Sequence, residues 1–283
     1  MKLLHWIAMS CASITLLTAC GGGSSGSTST ASTVSVTSVT TDQLVYRKVT
    51  NMTVVGKNLD LGINISNPGC LKITEVAGGT STQRVFACKM VAVGTFAVSI
   101  TAGDSASLYS GSLTIPLAAQ PQVTMKTTLG DIVIELNPAK APISVDNFLN
   151  YVENGFYVNK IFHRVVNSTS FSIAQGGGFT SDLQQPTPPF AAIKLESNNG
   201  LSNVRGTIGM ARTSAVDSAT SQFYFNVASN TGFDYTSTSN PGYAVFGKIV
   251  TGLDIMDKFK TVATNSSDVP TTAIFINSVV QTQ

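Results

Sequence analysis

Ile161-Phe162-His163-Arg164-Val165-Val166, followed after a polar stretch by Gln175-Gly176-Gly177-Gly178-Phe179, is the segment on which the reading of this chain turns. Residues 161–166 have the composition of a strand, and a two-residue side-chain period places Phe162, Arg164 and Val166 on one face with His163 on the other. Two further runs share this character: Gly206-Thr207-Ile208-Gly209-Met210-Ala211-Arg212 and Ser221-Gln222-Phe223-Tyr224-Phe225-Asn226. In the latter, the same period groups Gln222, Tyr224 and Asn226 opposite Phe223, Phe225 and Val227. His163 is the one histidine beyond the first twenty residues. Pointing away from the arginine, it reads as a core or hydrogen-bonded packing residue rather than a base, and no serine motif accompanies it. An arginine, two glutamines and a set of apolar side chains, with no nucleophile, metal or cofactor motif, suit a reaction that breaks no bond.

Around this segment, residues 122–283 read as one domain. Val123 to Thr127 and Ile132 to Leu136 alternate about Leu129-Gly130-Asp131 as a hairpin does. Pro142 opens a helix with Val145, Phe148, Leu149 and Val152 at i, i+3, i+4 and i+7, and Gly155 stops it. Strands are expected also at Thr207 to Ala211, Gln222 to Val227, Tyr243 to Ile249 and Thr272 to Val280, with a short helix around Leu253 to Val262.

Residues 34–119 are β in pattern. Short runs at Val34–Val39, Met52–Val55, Leu61–Ile65, Arg84–Phe86, Phe96–Ile100 and Leu113–Leu117 are separated by Gly, Asn, Asp and Pro turns, which predicts a small β-sandwich. Met52-Thr53-Val54-Val55-Gly56-Lys57-Asn58-Leu59 is faintly similar to immunoglobulin-like modules of bacterial surface proteins. No catalytic constellation lies here, so a spacer is favoured over an adhesion or client-docking module. Cys70 and Cys88 form a lone pair in this region, expected to be bridged in an oxidising compartment, against two separately buried thiols. The absence of C-x-x-C excludes thioredoxin-like redox chemistry and a zinc knuckle.

The chain begins with a short positive region at Lys2, an apolar run from Ile7 to Leu17, and Leu17-Thr18-Ala19-Cys20. The run is too short for the roughly 20 residues of a membrane-spanning helix. It resembles a lipoprotein signal, residues 1–19, with acylation of Cys20 as the anchor. Residues 20–33 then form a Gly/Ser/Thr tether. Gly22-Gly23-Ser24-Ser25-Gly26 matches G-x-S-x-G but lacks the strand and helix a nucleophile elbow needs. Of the 283 residues only 11% are charged and the formal balance is +2. With no basic cluster, nucleic acid is excluded as a partner.

Taken together, the segments quoted first, with Gly206 to Thr213 and Asp217 to Phe223, resemble the active-site signature of the cyclophilin-type peptidyl-prolyl isomerases, bacterial periplasmic members above all. The resemblance covers residues 122–283. It implies a closed eight-stranded β-barrel with two helices, so that the whole chain is all-β dominated, and an isomerase needing neither cofactor nor metal. It makes Arg164 the catalytic arginine and Gln175 the glutamine that binds the substrate carbonyl. Met210, Tyr224 and Phe233 become the apolar wall around proline, and Ala211, Arg212 and Gln222 the strip for the residues before it. Tyr243 stands where many eukaryotic members carry histidine.

Two departures stand out. A longer insertion, Asn167 to Ala174, separates the arginine from the glutamine, leaving open whether Phe171 or Ser172 lines the proline pocket. Gly232 replaces the tryptophan of cyclosporin-sensitive members, which implies weak cyclosporin binding. The expectation is a lipid-anchored isomerase of the bacterial cell envelope, in the outer membrane facing the periplasm, acting on proline-containing segments of unfolded or folding envelope proteins. Its rival is a non-catalytic peptide-binding or adhesion lipoprotein.

Overall fold

A computed structural model describes residues 33–117 and 119–283. The expected signal segment, the tether up to residue 32 and the lipidation site at Cys20 lie outside the described residues. Seven strands come first: β1 (Ser35–Thr41), β2 (Val49–Lys57), β3 (Ile63–Ser66), β4 (Cys70–Glu75), β5 (Gln83–Met90), β6 (Gly94–Ala102) and β7 (Ser107–Ile115). They make two antiparallel sheets, β1-β2-β5-β4 and β3-β6-β7. Alternation decides the inward faces: Met52 and Val54 of β2, Phe86, Cys88 and Met90 of β5, and Ile100 and Ile115 from the other sheet share one core. The expected strand at Leu61 to Ile65 starts only at Ile63. Leu59–Leu61 is a single 3-10 turn, ended at Gly62, whose φ of 101° an L side chain rarely adopts.

Cys70 and Cys88 are joined by a disulfide, with a Cα–Cα distance of 5.6 Å, linking neighbouring strands β4 and β5. Closing a loop of 18 residues stabilises by about 3 kcal/mol in the chain-entropy model. Cys70→Ser/Cys88→Ser should therefore lower the unfolding free energy of the N-terminal sheets by about that amount. A thiol count on denatured, non-reduced protein should leave both cysteines unreactive; two reactive thiols in the mature chain would rule the bridge out.

The remaining strands are β8 (Gln122–Thr127), β9 (Gly130–Leu136), β10 (Ile161–Asn167), β11 (Ser172–Phe179), β12 (Thr207–Met210), β13 (Phe223–Asn226), β14 (Val245–Thr251) and β15 (Ile276–Gln281), with helices α1 (Pro142–Glu153) and α2 (Ile255–Lys260). They form one sheet in the order β10-β11-β13-β12-β14-β9-β8-β15. The closed barrel expected above needs correction. The strand ladder is open between β10 and β15; Ile161 makes an isolated bridge to Phe275, just before β15, with backbone bonds from Phe162 N–H to Ile274 O (2.9 Å) and Ile276 N–H to Lys160 O (2.8 Å). Further along β10, the Val165 N–H is instead taken by Asp268 O (2.8 Å), from the loop before β15. The final strand accordingly starts at Ile276, four residues later than the sequence pattern suggested.

Helix α1 packs Val145, Phe148, Leu149 and Val152 into the core, as its periodicity requires. Ala141 at its N-cap supplies no side-chain acceptor. Glu196 does so from a distant loop, accepting from Ile143 N–H (3.0 Å), Ser144 N–H (2.8 Å) and Ser144 Oγ (2.7 Å). The core holds an aromatic lattice: Phe148, Tyr157, Phe162, Phe223, Phe225, Phe246 and Phe259 are all essentially buried. Among the described residues no helix is long and apolar enough to cross a membrane.

Candidate active site

The site is built where β10, β11 and β13 run side by side. The β10–β11 register shifts between Phe162, opposite Gly176, and Arg164, opposite Gln175. An irregularity of this kind breaks strict alternation. Phe162 therefore enters the core, its ring 4.9 Å from that of Phe259. The expectation that Phe162 shares a face with Arg164 is corrected by this shift. Arg164 instead faces a cavity of about 420 Å³, together with Phe171, Ile173, Gln175, Ala211, Arg212, Tyr224, Phe233 and Tyr243.

Met210, expected in the apolar wall, and Gln222, expected in the strip for the residues before proline, do not line this cavity. Met210 is 1% exposed and belongs to the core. In β12 it is Gly209 that faces Tyr224: a Cβ there would lie 2.5 Å from the phenol ring, so Tyr224 rests on bare backbone. Alternation then sends Met210 inward. Gln222 is half-buried beside Gln175, and its Oε1 accepts from Gln175 Nε2 (2.9 Å) and orients that amide. The question left open at the insertion is answered as well. Phe171 lines the cavity, while Ser172 is buried, its Oγ donating to Asn167 Oδ1 (2.7 Å) and its N–H to Asn230 Oδ1 (2.9 Å).

The apolar wall is an aromatic ring cluster: Phe171 to Phe233 at 5.3 Å, Phe233 to Tyr243 at 5.3 Å, and Tyr224 to Tyr243 edge-on at 6.0 Å. Ile173 completes it, with Val166 packed alongside Tyr224 beneath. Ile173 was missed because the glycine-rich segment 172–179 was not read as a strand. Once it is, Ile173 falls two residues from Gln175 and shares its face. Arg212 is fixed at the rim, donating from Nε (3.1 Å) and Nη2 (2.9 Å) to Gly242 O and stacking 4.7 Å from the Tyr243 ring. Arg164 keeps more freedom. Its Nε reaches Asp268 Oδ2 at 3.4 Å, its guanidinium lies 5.9 Å from the Phe171 ring, and its side chain is 42% exposed. At Gly232 a Cβ would meet nothing within 4 Å, so the rim is open there.

Behind the wall lies a buried polar network centred on Asn203, which sequence reasoning did not find. Its Oδ1 accepts from Tyr224 Oη (2.6 Å) and Asn226 Nδ2 (3.2 Å), and its Nδ2 donates to Asp234 Oδ1 (2.9 Å). Its backbone N–H also donates to Asp234 Oδ1 (2.7 Å), and its carbonyl accepts from Asn230 N–H (2.7 Å). Partial burial works against ionisation of Asp234, yet the hydrogen bonds from Ser202 and Asn203 outweigh it and hold the carboxyl below its usual range.

His163 packs its ring 4.3 Å from that of Phe179, and its buried Nδ1 has no hydrogen-bond partner. It is a packing residue, as expected, without the hydrogen bond at this nitrogen. Burial, with the neighbouring Arg164 charge, pushes its pKa from 6.5 down to about 4. Between these values the unfolded chain binds the proton and the folded one does not. The histidine's contribution to stability is thus complete above pH 6.5 and is lost as pH falls toward 4. The loss should be on the order of 2 kcal/mol, reduced from the full linkage value because the ring is not wholly buried. Unfolding curves of wild type and His163→Gln across this window check it: the variant should lose this slope, and identical slopes would assign it elsewhere.

Residues 122–281 match the family model described as cyclophilin type peptidyl-prolyl cis-trans isomerase/CLD. The chain is 52% identical over 148 residues to a peptidyl-prolyl cis-trans isomerase of Acinetobacter baylyi, covering 52% of this chain and 76% of that protein. It is 48% identical over 163 residues to peptidyl-prolyl cis-trans isomerase B of Escherichia coli, covering 56% and 97%, and 45% identical over 178 residues to isomerase A of Dickeya dadantii, covering 61% and 90%. An arginine and a glutamine facing an aromatic pocket suit the isomerase chemistry that names these relatives. The chain belongs to the cyclophilin family of peptidyl-prolyl cis-trans isomerases.

Proposed function

We propose that this isomerase acts on proline-containing segments of unfolded or folding proteins in the bacterial cell envelope, held at the membrane by an acylated Cys20. The observation that carries the site assignment is the convergence of Arg164 and Gln175 on one aromatic-walled cavity. An X-Pro amide is planar, with a barrier of ~18–20 kcal/mol, and exchanges over tens to hundreds of seconds. Catalysis requires that the twisted amide be bound better than the planar one. On twisting, the proline nitrogen becomes pyramidal and regains a lone pair. Arg164 donates to that lone pair, an interaction the planar amide does not offer.

The remaining residues bind and orient. Phe171, Ile173, Tyr224, Phe233 and Tyr243 take the proline ring. Gln175 keeps one amide N–H on Gln222 and has a second for the substrate carbonyl. Ala211 and Arg212 form the strip for preceding residues. The seven N-terminal strands, residues 34–119, are assigned as an immunoglobulin-like domain between the tether of residues 20–33 and the isomerase domain of residues 122–283.

The test is a proline-isomerisation assay on the full chain, combined with fractionation of cells that express it. Turnover of Pro peptides and membrane recovery are expected, with Cys20→Ser shifting the protein to the soluble envelope fraction. Peptide binding without turnover would favour the binding-module reading, and unchanged membrane recovery of Cys20→Ser would remove the lipid anchor.

A further inference from the structure

Helix α1 has a second face that the isomerase core does not use. Asp146, Asn150 and Glu153 follow one another at i, i+4 and i+7, forming a polar stripe away from Phe148 and Val152. Two cations from the N-terminal sheets meet it: Arg47, in the turn between β1 and β2, and Lys89, near the end of β5. Arg47 Nε donates to Asp146 Oδ1 (2.8 Å), Nη1 to Glu153 Oε1 (2.6 Å) and Nη2 to Asn150 Oδ1 (2.8 Å). Lys89 Nζ lies 2.7 Å from Asp146 Oδ1 and donates to Asn150 Oδ1 (3.2 Å). Asn150 Nδ2 closes the set by donating to Asp146 Oδ2 (3.1 Å).

Exposed ion pairs contribute little, because water and salt screen them. This cluster differs in its burial and its balance. The Asp146 side chain is 2% exposed and that of Arg47 10%. Two positive groups face two negative ones, and Asn150 uses both its oxygen and its nitrogen within the set. A carboxylate so enclosed is tolerated only when its charge and its lone pairs are met. Here its charge is met from the N-terminal sheets, by the planar fork of Arg47 and by Lys89, while Asn150 of the same helix satisfies Oδ2. Arg47 itself has a φ of 59°, a region unfavourable to non-glycine residues, and is tied there by its N–H to Met90 O (2.7 Å). Backbone strain of this kind persists where surrounding contacts over-determine it.

We infer that the polar face of α1 is the docking surface for the chain's own N-terminal sheets, so that these sheets and the isomerase move as one body and the proline groove keeps a fixed direction relative to them. A loosely strung spacer would leave that direction free. The inference rests on the contacts just described and not on membrane attachment, so failure of either leaves the other standing.

Amide 15N relaxation on the full chain tests it. In the wild type, amides of β1–β7 and of β8–β15 should share one rotational correlation time. In Arg47→Ala/Lys89→Ala the shared value should be lost, with each group tumbling faster and separately. Asp146→Asn, nearly identical in shape, should loosen the contact from the other side. Turnover of a short Pro peptide should be unchanged in both variants, which also shows that they fold, since none of these residues touches the groove. Two separate correlation times in the wild type, or one shared time in either variant, would overturn the proposal.

Discussion

Arg164→Ala should lower kcat/KM for proline isomerisation on the order of a hundredfold, about 3 kcal/mol of transition-state stabilisation, while Pro-peptide affinity changes little. The asymmetry follows from when the bond exists: the proline nitrogen has a lone pair to offer only once the amide is twisted. Folding should be preserved, because the side chain is half exposed and its Asp268 contact is long and solvent-screened. Arg164→Lys should recover little, since an ammonium on a flexible stem lacks the planar fork. Isomerisation rates and peptide titration on the same preparations separate the possibilities. Unchanged efficiency would reject the role of Arg164, and equal losses of affinity and rate would make it a binding residue only.

Asn203→Ala should cost about 3 kcal/mol of stability and much of the activity, although Asn203 does not line the groove. Its removal leaves the Tyr224 hydroxyl and the Asn226 amide buried with a lost acceptor, and it takes from Asp234 the Asn203 Nδ2 donor while the backbone N–H of residue 203 stays. Asn203 and Asp234 together tie the segment carrying Phe233 and Tyr243 to the wall made by Tyr224. Truncation should therefore raise KM as the aromatic cluster loosens. Adding Tyr224→Phe to Asn203→Ala should return part of the stability, because the stranded hydroxyl is gone. Denaturant unfolding of the four members of this cycle measures the coupling. A loss below about 1 kcal/mol in Asn203→Ala would show that water replaces the amide freely.

Much of the site was legible along the chain. Arg164, Gln175, Tyr224, Phe233 and Tyr243 could be named from the resemblance to the cyclophilins, and all of them line one cavity. The assignments that failed have a common cause. Met210 was placed in the apolar wall and Phe162 on the strand face of Arg164, and both are in the core. Their directions depend on the bare backbone of Gly209 under Tyr224 and on the register shift beside Arg164, and each involves a neighbouring strand. Strand β11 escaped notice because Gly176, Gly177 and Gly178 carry no side-chain pattern to read.

The sequence by itself determined the local order: the alternation of β2 and β13, the apolar face and proline start of α1, and the cysteine pair. These are properties of period and composition, set within a few residues. Tertiary structure alone decided where the sheet stays open between β10 and β15, which residue of the insertion meets the cavity, how Asn203 links segments far apart, and what covers the polar stripe of α1. Each of those depends on hydrogen-bonding groups brought together from distant parts of the chain, where burial demands a partner that no local pattern can specify.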